Sequence, residues 1–112
     1  MSRLTPVGDK YTSTKAQRVT LFSVAGGIIE RRGYTPKLVN AQDVRITIAG
    51  ALVEASLLYA NHAVALADAQ FLLVSNHVNE QGIMPWDEFV WSLSDATAPA
   101  LMWRIADKVA AS

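Results

Sequence analysis

Hydrophobic and polar positions divide the chain into three helical stretches separated by turn chemistry. Thr14-Lys15-Ala16-Gln17 has the form of a capping box, a hydroxyl followed three residues later by Gln. Behind it, Val19, Phe22, Ala25, Gly26 and Ile29 recur at the three- and four-residue steps of one helix face. Gly33 suits the position that closes a helix, and Arg31 and Arg32 before it suit the C-terminal end of a helix dipole. The pattern predicts a helix over 15–32. Val19–Val24 would also pass as a strand on residue type. No partner strand is evident, so helix is retained, although each Gly of Gly26-Gly27 costs about 1 kcal/mol in a helix interior.

The second stretch follows a linker, Gly33 to Val39, in which Pro36 disfavours helix at Thr35. Asn40 offers an N-cap and Asp43 a first-turn acid. Between Ala51 and Gln81 there is neither Gly nor Pro, and the polar residues Thr47, Glu54, Asn61, Asp68 and Ser75 fall seven apart. Seven residues turn a helix by two turns less about 20°, so one polar spine can follow a single helix over about 40–80. Such a helix would be about 60 Å long, while a chain of this size has a radius of gyration near 13 Å. Either it breaks near Asn61-His62 or a second copy covers its apolar sides. The unbroken seven-residue beat favours the second, a homodimer along this helix with Leu57, Leu58, Tyr59 and Phe71 at the contact.

In the third stretch Pro85 fits the first position of a helix, with Asp87 and Glu88 in the first turn where the dipole favours anions. Its apolar stripe is Trp86, Phe89, Val90 and Leu93. Ser94-Asp95-Ala96-Thr97 is a second capping cluster, followed by the stripe Ala98, Leu101, Met102, Ile105 and Val109. These predict a helical pair over 85–110. Residues 1–13 read as an irregular, flexible arm. The expected architecture is one all-α domain: an N-terminal helix over 15–32, one long central helix over about 40–80, and the C-terminal pair.

Two tryptophans miss their stripes. Trp91 lies about 140° round the helix from Trp86, and Trp103 is equally far from the stripe of the last helix. Tryptophan off the core face is a common anchor of protein interfaces, so both are candidate contacts, while Trp86 is expected in the core. Tyr34 and Tyr59 are weaker candidates.

Composition then narrows the function classes. The chain has 112 residues, 51% of them apolar, and equal numbers of acidic and basic side chains. That fits one globular domain and excludes a disordered or polybasic chain. It holds no cysteine, which excludes disulfides, thiolate metal sites and a thiol nucleophile. The charge is balanced in total but not in position. Residues 1–45 carry eight Lys/Arg against three Asp/Glu, a formal +5, and residues 46–112 carry two against seven, a formal −5. The halves can cancel by packing together, or the basic half can meet an acidic partner, with Arg31, Arg32 and Lys37 as candidate nucleic-acid contacts. Glu30-Arg31-Arg32-Gly33-Tyr34-Thr35, behind Leu21-Phe22, resembles the end of the first helix of TetR-type repressors. The resemblance implies a DNA-binding N-terminal domain, with a short helix, a Gly-containing turn and a recognition helix to follow. Here Pro36 leads instead toward the apolar stretch from Asn40, and no helix-turn-helix with a polar reading face can be placed.

No pattern carries catalysis. His62 and His77 are fifteen residues apart, about 22 Å on one helix, and cannot share a metal within one chain. Each is read as a polar side chain on a helix flank. The serines lack a Gly-x-Ser-x-Gly elbow, and no phosphate-binding glycine loop exists. No catalytic, cofactor or metal site is predicted. Ile46–Val74, the longest candidate for a membrane span, is interrupted by Glu54, Asn61, His62, Asp68 and Gln70. No secretory leader is visible, and a cytoplasmic location is expected. The expected function is non-enzymatic regulation by protein–protein binding, as an adaptor, an anti-activator or an immunity-type inhibitor of a larger partner such as a transcription regulator. The alternatives are a nucleic-acid-binding regulator using the basic half, or a small helical bundle that binds an apolar ligand.

Overall fold

Thr14 opens the first helix with both halves of the capping box. Its hydroxyl accepts the Gln17 N–H at 3.1 Å, and Gln17 Oε1 accepts the Thr14 N–H at 3.0 Å. The computed structural model describes residues 13–112 and is all-helical: α1 (Lys15–Arg32), α2 (Ile48–Ser56), α3 (His62–Gln81), α4 (Trp86–Ser92) and α5 (Thr97–Ala111). The arm expected over 1–13 lies outside the described residues except for Ser13. That residue is buried, and both its N–H and its hydroxyl reach Asp68 Oδ2 of α3, at 2.8 and 2.7 Å.

The single central helix over 40–80 does not form. It is replaced by an irregular segment to Thr47, then α2, a turn over 57–61, and α3. The polar residues of this stretch account for the difference. Asn40 and Asp43 do not start a helix. Their carboxamide and carboxylate accept the N–H two residues on, from Gln42 at 2.9 Å and Arg45 at 3.0 Å, which holds the chain in Asx turns. Thr47 is the actual N-cap of α2, its hydroxyl accepting the Gly50 N–H at 2.9 Å. At the other end of α2 the N–H groups of Leu57, Leu58 and Tyr59 bond three residues back, to Glu54, Ala55 and Ser56, and the helix tightens and stops. Asn61 then stands at the start of α3. The beat that looked like one spine is a set of helix starts and cross-links. The fold measures 44 × 34 × 19 Å, so a 60 Å helix has no place in it.

The centre of the fold is the pairing of α1 with α5, flanked by α2. Leu21, Phe22, Ala25 and Ile29 of α1 are fully buried, with Ala98, Leu101, Met102 and Ile105 of α5 and Ala51, Leu52 and Ala55 of α2. The expected α5 stripe is the buried face. The α1 stripe is wider than expected, because Leu21 and Ile28 are buried too, with helices on two sides. Gly26 explains its own presence in a helix interior. A methyl group there would lie 2.3 Å from the indole nitrogen of Trp103, so the missing side chain is what lets the α5 tryptophan lie across α1.

The 33–47 segment is fastened at several points. Gly33 closes α1 at φ 87°, its N–H bonding Ile29 O at 2.8 Å. Ile46 N–H bonds Gly33 O at 2.9 Å, and Thr35 N–H bonds Ile46 O at 3.0 Å, an isolated parallel bridge between Tyr34 and Ile46. Tyr34 is buried, not a surface contact. Its hydroxyl donates to Val90 O at 2.7 Å and its N–H to Asp95 Oδ1 at 2.8 Å, and burial pushes the phenol up to about 12.

Candidate interaction surface

The third helix is apolar on two opposite sides, and among the described residues only one of them is used by the fold. Ala65, Ala69, Leu73, Asn76 and His77 are buried against the rest of the chain. Ala67, Phe71, Val74 and Val78 lie roughly opposite at about 100° per residue, and all four are exposed. Phe71 keeps 71% of its surface in water. A helix that is apolar on both sides is ordinarily covered on both sides. Two acids on this helix are turned back into the chain. Asp68 accepts from Ser13, and Glu80 accepts from Arg104 at 2.7 and 3.1 Å and from Lys108 at 2.6 Å. These two cations hold the Glu80 carboxyl at about 2, below its ordinary range. The outward stripe itself carries no charge.

Of the six residues expected at a contact, four are open. Phe71 is in the α3 stripe, Leu57 and Leu58 stand out from the α2–α3 turn at 64% and 61% exposure, and Trp91 stands out from α4 at 67%. The other two are engaged within the chain. Tyr59 is half-buried and its hydroxyl donates to Gln17 O at 3.3 Å. Trp103 packs on Gly26 and donates its indole N–H to Ser23 O at 3.2 Å, leaving 37% exposed. Trp86 is partly buried beside His77, with ring centroids 5.4 Å apart. His77 is not a flank residue. It is buried between Trp86 and Phe89 and donates from Nε2 to Met84 O at 2.6 Å, which ties the end of α3 to the entry of α4. His62 is exposed at the start of α3.

The candidate nucleic-acid contacts do not form one patch of open charge. Arg32 pairs with Glu54 of α2 and donates from Nε to Val44 O at 2.8 Å, which anchors the irregular segment. Arg31 and Lys37 are exposed and form no ion pair with another described residue. The segment after α1 contains no helix before α2, so the short helix and recognition helix implied by the repressor-like hexapeptide are not there.

Two shallow grooves lie among the described residues. One, of about 240 Å³, lies between the irregular segment and α4, and includes Tyr34, Lys37, Thr47 and Trp86. The other, of about 190 Å³, lies between α3 and α5, with Asn76, Asn79 and Lys108. Both fall below the roughly 300 Å³ at which small-molecule sites begin. Among the described residues no group of His, Asp or Glu is placed to hold a metal ion, and no helix is long and apolar enough to cross a membrane. Comparison with family models, with curated proteins and with solved structures finds no match for this chain.

Sequence reasoning missed Ala67, Val74 and Val78 as surface residues. Their signal was present: Val64, Ala67, Phe71, Val74 and Val78 step by three and four. It was masked because the core stripe on the opposite side of α3 also steps by three and four.

Proposed function

We propose that this is a small, non-enzymatic regulatory protein that acts by binding other protein surfaces, as an adaptor or as an inhibitor of a larger partner, in the cytoplasm. One observation carries the reading. Large apolar side chains, Phe71, Leu57, Leu58 and Trp91, are presented outward from helices and a helix turn, while the core cluster of the described residues forms without them. Exposed apolar area of this kind marks contact surfaces. The carboxylates that would otherwise suggest chemistry serve the fold: Glu54 and Glu80 sit in ion pairs, Asp68 binds Ser13, and Asp95 binds the Tyr34 N–H.

The test is affinity capture with the native chain beside Leu57→Asp, Phe71→Asp and Trp91→Ala. All three sites are exposed, so the variants should keep the native melt. A protein retained by the native chain and lost with at least one variant supports the reading. Retention that none of the three alters would overturn it. The nucleic-acid alternative rests on the open Arg31 and Lys37. It requires a sequence-specific duplex complex that survives physiological salt, whereas phosphate contacts alone weaken steeply as salt rises.

A further inference from the structure

We propose that the outward face of α3 pairs with the same face of a second copy of this chain, antiparallel, about a two-fold axis at the level of Leu72 and Leu73. The inference deepens the protein-binding reading above by naming the occupant of one surface. It starts from spacing. Val64, Ala67, Phe71, Val74 and Val78 alternate steps of three and four without interruption, which is the narrow seam of a helix pair crossing at about 20°. A face of this kind fits another helix of the same period, and a closed pair of identical chains presents the same patch from both sides.

Charge narrows the choice of occupant. The seam is neutral, and the two acids Asp68 and Glu80 already have partners within the chain. A second copy therefore meets no like charge, while a nucleic acid, an anionic membrane or a charged peptide finds nothing to pair with. Volume selects the orientation. A parallel pair would set Phe71 on Phe71 and Ala67 on Ala67, one layer overfull and the next hollow. The antiparallel pair sets Phe71 against Val74 and Ala67 against Val78, which evens the layers, and it also opposes the helix dipoles. Sliding by seven residues would carry Val78 past the end of the partner helix to Ala60 in the turn, so this register alone matches the four exposed apolar residues among themselves. Paired from Val64 to Gln81, the strip is about 26 Å long and about 10 Å wide. That is less than the roughly 800 Å² each side of a standard stable interface buries. The dimer is accordingly weak and dissociates on dilution through the micromolar range.

Sedimentation of the native chain across micromolar concentrations should show a monomer–dimer equilibrium. Phe71→Asp and Val74→Asp should abolish it while keeping helix content and melt, and Leu57→Asp, outside the seam, should not. The register can be read because the chain has no cysteine. Ala67→Cys mixed with Val78→Cys should oxidise to a crosslinked heterodimer. Ala67→Cys alone should not, because in this register its two copies are about 16 Å apart along the axis, beyond the roughly 7 Å a disulfide spans. A chain that stays monomeric at every concentration overturns the pairing, and so does efficient crosslinking of Ala67→Cys to itself. A monomer that still captures a Phe71-dependent protein partner overturns the self-pairing and leaves the protein-binding reading standing. A monomer whose capture is indifferent to all the exposed-site variants overturns both.

Discussion

Gly26 and Trp103 are the pair at which two general effects oppose each other. Helix propensity says Gly26→Ala should stabilise α1 by about 1 kcal/mol. The 2.3 Å approach to the indole says the new methyl has no room, and overpacking costs about 1–3 kcal/mol. The clash is with a ring pinned by its own hydrogen bond, so we expect Gly26→Ala to destabilise the fold. In a Trp103→Ala background the same change should become neutral or stabilising. Urea denaturation of the four proteins measures the coupling, and additivity within about 0.5 kcal/mol would refute it. Trp103→Ala alone should cost about 2–3 kcal/mol, below the roughly 3–5 kcal/mol of a fully buried aromatic. Trp91→Ala, on an open face, should change stability by less than about 0.5 kcal/mol. The caps of α1 were legible because a capping box is local. The difference between the two tryptophans was not, because periodicity places a side chain on a face but does not say whether another helix arrives there.

At the scale of elements, α3 is tied to α5 by one carboxylate and two cations a turn apart on α5, with Lys108 also reaching Asn76 Oδ1 at 2.8 Å. Glu80 is held at about 2 in the fold against an ordinary 4.5. A group whose folded value is depressed contributes stability above its unfolded value, and the contribution is lost as pH falls through the folded one. The clamp therefore weakens between pH 4.5 and 2. The site is largely open to water, which limits its contribution to about 1 kcal/mol or less. Glu80→Gln should flatten the acid limb of stability in that window, and an acid titration of helix content with an unchanged slope would contradict it. Helix type and most helix ends were readable from apolar spacing and caps. The break of the central stretch was not, because Thr47 and Asn61 look the same on a polar spine as at a helix start. Thr47→Ala, which removes the cap of α2, should cost about 1 kcal/mol in thermal unfolding.

For the whole molecule, the charge asymmetry of the sequence is bridged by little direct ion pairing. Only Arg32–Glu54 links the basic part of the chain to the acidic part among the described ion pairs, while Arg45–Asp43 and the Glu80 pairs stay within their own halves. Self-association through a neutral seam should then be nearly indifferent to sodium chloride, since there is no ion pair to screen. It should show a negative heat-capacity change, as burial of apolar surface does. Dilution calorimetry at several temperatures and salt concentrations checks both, and a steep loss with salt would point to a charged contact instead.

The arrangement of the core also decides when the chain can fold. Trp103 bonds to Ser23 across eighty residues of sequence, and the two helices paired at the centre of the fold are the first and the last described. α2 covers one side of α1, but only α5 completes its hydrophobic face, so that face must wait for α5 to leave the ribosome. Contacts this distant also slow refolding relative to bundles built from neighbouring helices. During synthesis the part of the Leu21, Phe22 and Ile29 face that meets α5 therefore stays open to chaperones until α5 has emerged. A nascent chain arrested before α5 should remain protease-sensitive throughout, and one extended past it should become resistant in a single step.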